Sequence, residues 1–252
     1  PVQSGSGNTT TMLLLPRPGP SPRRAVLALA AAGLLSPGGA AAHDLWLERA
    51  GDGLALRYGH RVGELLVIDR TKVKSARCLE QGATRDLLSS ARFAPSEVSL
   101  AGRCDAAAAF FDGGSWSLTP DGEVNRPKNQ VPQAVKAWAS RQFAKWVNAR
   151  NPAASSAVLG DELELVAVGD VSRAREGDKV TVRVLSAGKP VSGAVVAIDH
   201  KPLGESDSAG EVRVRLRASG VETISATLRR KVSTPEADAV VLEATLSFEV
   251  AR

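Results

Sequence analysis

Sulfur and aromatic side chains are scarce in this 252-residue chain, which holds two cysteines, one methionine, one tyrosine, four tryptophans and five phenylalanines. The cysteines do not form a Cys-x-x-Cys pair, the spacing that thiolate metal sites usually use. Gly-x-Ser-x-Gly, His-Glu-x-x-His, the phosphate loop and the dinucleotide fingerprint are all missing, so catalysis of those kinds is not expected. No stripe of lysine and arginine interleaved with aromatics is present, and a nucleic-acid partner is not expected either. The apolar run over residues 25–35 is about half of the ~20 residues that a membrane-spanning helix needs, which argues against a permanent anchor.

That run has another reading. It follows Arg17, Arg23 and Arg24 and is broken by Ser36-Pro37-Gly38-Gly39, after which come Ala40-Ala41-Ala42: the three zones of a secretory signal peptide. The only methionine, Met12, is the expected start, and residues 1–11 carry no information about the fold. Cleavage after Ala42 satisfies the small-x-small rule and leaves 210 of the 252 residues, with His43 first. The net charge then falls from +5 to +2, because the three arginines are the only charges removed. The mature chain is expected to be soluble and periplasmic or otherwise secreted. In such an oxidising compartment Cys78 and Cys104 are expected to pair, stabilising the fold by about 3.5 kcal/mol on the chain-entropy model. The alternative is a pair of thiolate metal ligands.

Along the mature chain, Leu45/Leu47, Leu54/Leu56/Tyr58 and Leu65/Val67 alternate between glycines and predict β-strands joined by tight turns. Residues 43–150 read as a β-rich domain containing one long helix at about 132–149. There a proline suits the first turn, and Val135, Trp138, Gln142/Phe143 and Trp146 recur at helical spacing. Residues 151–158 read as a linker. Residues 159–252 read as an immunoglobulin-like β-sandwich, with strands and turns recurring at sandwich-like intervals. Val212/Val214/Leu216 alternate with Arg213/Arg215/Arg217 there, which makes those arginines an outer face rather than an anion site. The predicted fold is thus mainly β, a β-rich N-terminal domain with one long helix followed by a C-terminal sandwich.

The chemistry concentrates at histidines. An N-terminal His43 would offer its α-amine and an imidazole nitrogen to one metal ion, and both groups titrate close enough to neutrality to give up their protons. Cleavage after Ala40 would instead give Ala-Ala-His, a square-planar copper or nickel motif. His60, in Tyr58-Gly59-His60-Arg61-Val62-Gly63-Glu64, is flanked by glycines that let the backbone turn sharply. Together His43 and His60 supply an amine and two imidazoles. Asp44, Glu64 and His200 are weaker candidates to complete or orient the set. The bland alternatives are a strand-start histidine at 43, a solvated turn at 60 and a strand-end histidine at 200.

Several stretches carry a family likeness: Ala42-His43-Asp44-Leu45-Trp46-Leu47, Tyr58-Gly59-His60 with Gly63-Glu64, Asn125-Arg126-Pro127-Lys128, and Leu159-Gly160-Asp161-Glu162-Leu163-Glu164-Leu165. Further matches are Gly188-Lys189-Pro190-Val191-Ser192-Gly193-Ala194-Val195 with Asp207-Ser208-Ala209-Gly210, and the closing Ala244-Thr245-Leu246-Ser247-Phe248-Glu249-Val250. In these the chain resembles secreted bacterial proteins carrying a domain of unknown function, associated with nickel or cobalt uptake as periplasmic (NikM-like) components of energy-coupling-factor transporters. The resemblance implies handling of nickel or cobalt, with a membrane transporter component as partner. The nitrogen donors make copper a chemical alternative. Two further readings stand beside it: a non-catalytic structural or interaction module of the cell envelope with no metal site, and, less expected, a copper-brace oxygen enzyme.

Overall fold

The computed structural model describes residues 43–251, and Gly5 upstream of them. The expected signal peptide, its cleavage positions and Met12 lie outside the described residues. The N-terminal half supplies β1 (Asp44–Ala50), β2 (Gly53–Gly59), β3 (Val73–Glu80), β4 (Ala83–Asp86), β5 (Arg92–Ala94), β6 (Glu97–Leu100), β7 (Ala106–Thr119), β8 (Gly122–Val124) and β9 (Lys136–Val147). After the four-residue helix α1 (Pro152–Ser155) come β10 (Glu164–Val168), β11 (Lys179–Ser186), β12 (Lys189–Pro190), β13 (Val195–Ile198), β14 (Lys201–Glu205), β15 (Glu211–Arg215), β16 (Gly220–Lys231) and β17 (Ala239–Val250).

These strands build three sheets. The largest has nine strands in the order β14-β13-β16-β17-β9-β7-β3-β4, with β8 added beside β7. A four-stranded sheet, β1-β2-β6-β5, and a second one, β10-β11-β12 with β15 beside β11, complete the fold. Parity along β9 shows how the layers stack. Phe143 and Val147 enter one hydrophobic core together with Leu165, Val182 and Val214, whereas Ala144 and Trp146 enter another with Leu47, Leu56 and Val98. Successive side chains of a strand point to opposite faces, so the nine-stranded sheet lies between the two smaller ones. Cross-strand partners respect this: Phe143 stacks on Phe110 at 4.9 Å, and the rung beside them is Ala144 opposite Ala109.

The expected helix over 132–149 is a strand instead. Residues 142–147 are all buried because both faces of β9 are covered, so the two-residue alternation that would have marked a strand is erased. The helical spacing of Trp138, Phe143 and Trp146 is a coincidence of a strand buried on both sides, and Val135 lies outside it, 62 % exposed. Antiparallel pairing with β7 and parallel pairing with β17 take up the main-chain hydrogen bonds of β9 on both sides.

The expected β-sandwich is present in the second half, where β10, β11 and β15 face β13, β16 and β17. The large sheet continues through β9 into the first half, and residues 43–251 belong to one compact unit. The stretch read as a linker contains α1, capped by the Asn151 side chain, which accepts from Ala153 N. A buried ion pair ties β9 to the start of β10: Lys145 Nζ lies 2.6 Å from Glu164 Oε1, and the Glu164 carboxylate also accepts from Leu159 N and Gly160 N at 2.8 and 2.9 Å. Cys78 and Cys104 are disulfide-bonded, their Cα atoms 5.5 Å apart, which replaces the thiolate alternative.

Candidate metal centre

The register of the β1–β2 hairpin sets the first two histidines. Its outermost rung pairs Asp44 with Gly59, so His43 and His60 continue the ladder by one residue on each strand. Their ring centroids are 5.0 Å apart. Gly59 makes this position possible. Its φ is +130°, and a Cβ there would stand 2.4 Å from the Glu64 carbonyl oxygen, so the returning backbone can approach only a glycine. That return is closed by His60 N donating to Glu64 O at 2.9 Å and Leu66 N donating to Tyr58 O at 2.8 Å. Arg61 fastens the loop to β16 through Nη2 and the Val221 carbonyl at 3.0 Å.

The third histidine arrives from the far edge of the large sheet. Ile198 pairs with Lys201 across a two-residue turn made of Asp199 and His200, whose φ values are +48° and +58°. Two successive positive φ angles define the hairpin turn that Asn-Gly fills most readily. Aspartate and histidine tolerate that region better than other side chains but still carry a conformational cost. Here the turn sets the His200 ring 5.8 Å from that of His60, with Nε2 3.4 Å from Asp44 Oδ2. Of the sequence candidates, the structure therefore brings His43, His60, His200 and Asp44 together. Glu64 is different: its carboxylate is exposed, and its contribution to the hairpin is its main-chain carbonyl.

Electrostatics favour a neutral, metal-ready His43. Burial and the neighbouring His60 lower its pKa, Glu64 pulls the other way, and His200 lowers it further. Burial raises the Asp44 carboxyl, while His200 and Arg61 oppose that shift. Three groups that the sequence did not single out complete the surroundings. Tyr58 meets His43 edge-on at 5.7 Å. Gln142 Nε2 donates to both the His43 carbonyl at 3.2 Å and Glu243 Oε2 at 2.8 Å. Glu243 has its carboxyl pushed up by burial, with the Gln142 hydrogen bond opposing. Glu243 carries a readable signal, a charged residue between Leu242 and Ala244 in a mostly apolar strand, whereas Gln142 follows Arg141 and carries none.

Fit to a metal can be tested on the ring spacing. Two imidazoles bound to one ion at metal–nitrogen distances of ~2.0–2.1 Å place their ring centres about 4.5–6 Å apart. The spacings of 5.0 and 5.8 Å fall in that interval. The rings meet edge-on, at 62° and 76°, and as placed no group of three or more His, Cys, Asp or Glu among the described residues converges to hold an ion. The three rings are thus neighbours in a chain, His43 to His60 to His200, without converging on one point. Nitrogen-rich donors of this kind suit nickel, cobalt, copper or zinc better than calcium or magnesium.

Comparison with known proteins adds a family but no activity. A family model described as "Domain of unknown function (DUF4198)" matches residues 40–227. No curated protein matches the chain. Among solved structures, the fibronectin(III)-like modules of Clostridium thermocellum CbhA are similar at 13 % identity, over 83 % of this chain and 94 % of that one, with a TM-score of 0.24.

Proposed function

The chain belongs to the DUF4198 family, whose description names no substrate or reaction, and from the site itself we propose that it is a periplasmic or otherwise secreted accessory protein that binds nickel or cobalt for uptake, with copper as the chemical alternative. His43, His60 and His200 supply the ring nitrogens, and processing after Ala42 would add the His43 α-amine. Asp44 orients His200, since a carboxylate beside one ring nitrogen directs the other toward the ion. The metal is cargo in this reading, and a membrane transporter component is its recipient. The observation that carries the proposal is the meeting of all three histidines of the chain, from two different sheets, at 5.0 and 5.8 Å. Three scattered histidines in a protein of this size have no structural reason to share one spot.

The alternative, a metal-free interaction module of the cell envelope, draws on the absence of a converged donor group among the described residues. Isothermal titration of the processed chain with nickel, cobalt and copper separates the two. The metal reading expects one ion per chain and loss of binding in His43→Ala and His60→Ala. Identical titrations for the native chain and both variants would overturn it.

A further inference from the structure

A cleft of about 180 Å³ opens beside the histidines, with His43 and Asp44 on one wall and His200 on the other. Its floor is a stretch of the large sheet beside the start of β1. Register defines that floor: Gln142, Glu243, Thr227 and Val195 are successive partners across β9, β17, β16 and β13. Three of these four are polar, and the next rung on the same face adds Thr245 and Ser225 to the cleft lining.

The polar atoms are mostly acceptors. Gln142 is 5 % exposed, and its Nε2 is spent on His43 O and Glu243 Oε2, which fixes the amide orientation and leaves Oε1 without any partner. A buried carbonyl oxygen with no donor costs about 1–3 kcal/mol. The carboxylates of Glu243 and Asp44 and the Thr227 hydroxyl add further acceptor capacity, and His43 and His200 line the same cleft. The cleft therefore presents a buried, unmet hydrogen-bond acceptor beside His43 and His200.

We propose that this cleft binds a small amine chelator, an α-amino acid in chemical class, together with the metal, so that the cargo is a metal–amino acid complex rather than a bare ion. The inference rests on the metal reading above. The chelator's amine nitrogen binds the ion while its N–H groups donate to Gln142 Oε1 and to the Glu243 or Asp44 carboxylate. Three protein imidazoles leave room for a bidentate ligand on nickel or cobalt, and the cleft volume suits a molecule of a few heavy atoms.

The test is titration and native mass spectrometry of the processed chain with nickel chloride alone, with nickel and glycine, and with nickel and N,N-dimethylglycine, which chelates through the same atoms but has no N–H. The proposal expects a species of one protein, one nickel and one glycine, with glycine held at least tenfold more tightly than dimethylglycine. Gln142→Met and Thr227→Val should each reduce that preference, the second without touching the His43 carbonyl contact. Nickel binding with no glycine-containing species, or equal retention of the two chelators, overturns the proposal and leaves the metal reading standing. Binding of nickel–glycine but not of nickel alone supports it and redefines the cargo. Binding of neither removes both.

Discussion

His43 and His60 stand opposite each other one residue beyond the Asp44–Gly59 rung, with ring centroids 5.0 Å apart. The hairpin register sets this pair, and Gln142 and Arg61 tie its two ends to the large sheet. His200 depends on topology, because the large sheet must first carry the β13–β14 turn to the same place.

Removing either hairpin ring should therefore have the larger effect. His43→Ala and His60→Ala are each expected to weaken nickel binding at least 100-fold, and His200→Ala about tenfold, in isothermal titrations at neutral pH. A smaller loss for His60→Ala than for His200→Ala would contradict the hairpin as the primary site.

Gly59→Ala should unseat His60 by a steric route. A Cβ placed 2.4 Å from the Glu64 carbonyl, at φ +130°, forces the 60–64 return to open. A loss of roughly 2–3 kcal/mol is expected in denaturant melts, together with weakened metal binding. Unchanged melting would mean that the return adjusts freely.

The turn carrying His200 predicts a trade between stability and binding. Replacing Asp199-His200 with Asn-Gly suits the two positive φ angles and should raise stability by about 1 kcal/mol. Metal affinity should fall in the same variant. If binding is untouched, His200 is an ordinary turn residue.

A pH effect should appear far from the histidines. Burial holds the Asp161 carboxyl up at about 6, well above the ordinary aspartate range, despite its bond to Arg77. A carboxyl raised in the folded state contributes stability that is present below the unfolded value and is lost as pH climbs through about 6. Urea midpoints should thus drop between pH 4 and 6.5 by an amount equivalent to roughly 2–3 kcal/mol, and Asp161→Asn should flatten that slope. A native profile rising across this range because of Asp161 is excluded by the sign.

Cys78→Ser is expected to cost about 3.5 kcal/mol through release of the loop that the disulfide closes. Comparing its denaturant midpoint with that of the reduced native chain checks that the loss comes from the cross-link and not from the serine.

Much of the architecture was readable because many strands have one face on a core and one toward water. Val212 and Val214 against Arg213 and Arg215 gave β15 its alternation. That signal fails where both faces are covered, so β9, with six consecutive buried side chains, imitated a helix. The disulfide was legible from two cysteines behind an expected secretory leader, an oxidising context in which they have only each other to pair with. His43 and His60 could be linked by their strand ends, whereas the approach of His200 needs a sheet order that no local pattern encodes. Gln142 and Glu243 were missed for the same reason, since their contacts with one another and with His43 cross about a hundred residues of sequence.

The parallel neighbours β9 and β17 give the molecule an unusual assembly order. Antiparallel β7 can dock on β9 early, but the opposite border of that strand waits for the last dozen described residues, and long-range pairing of this sort is intrinsically slow. A polypeptide stopped near residue 150 would therefore display an unfinished, strongly apolar strand edge and should self-associate rather than behave as a free-standing fragment. Pairing of β17 thus acts as the latch that closes the large sheet between β9 and β16.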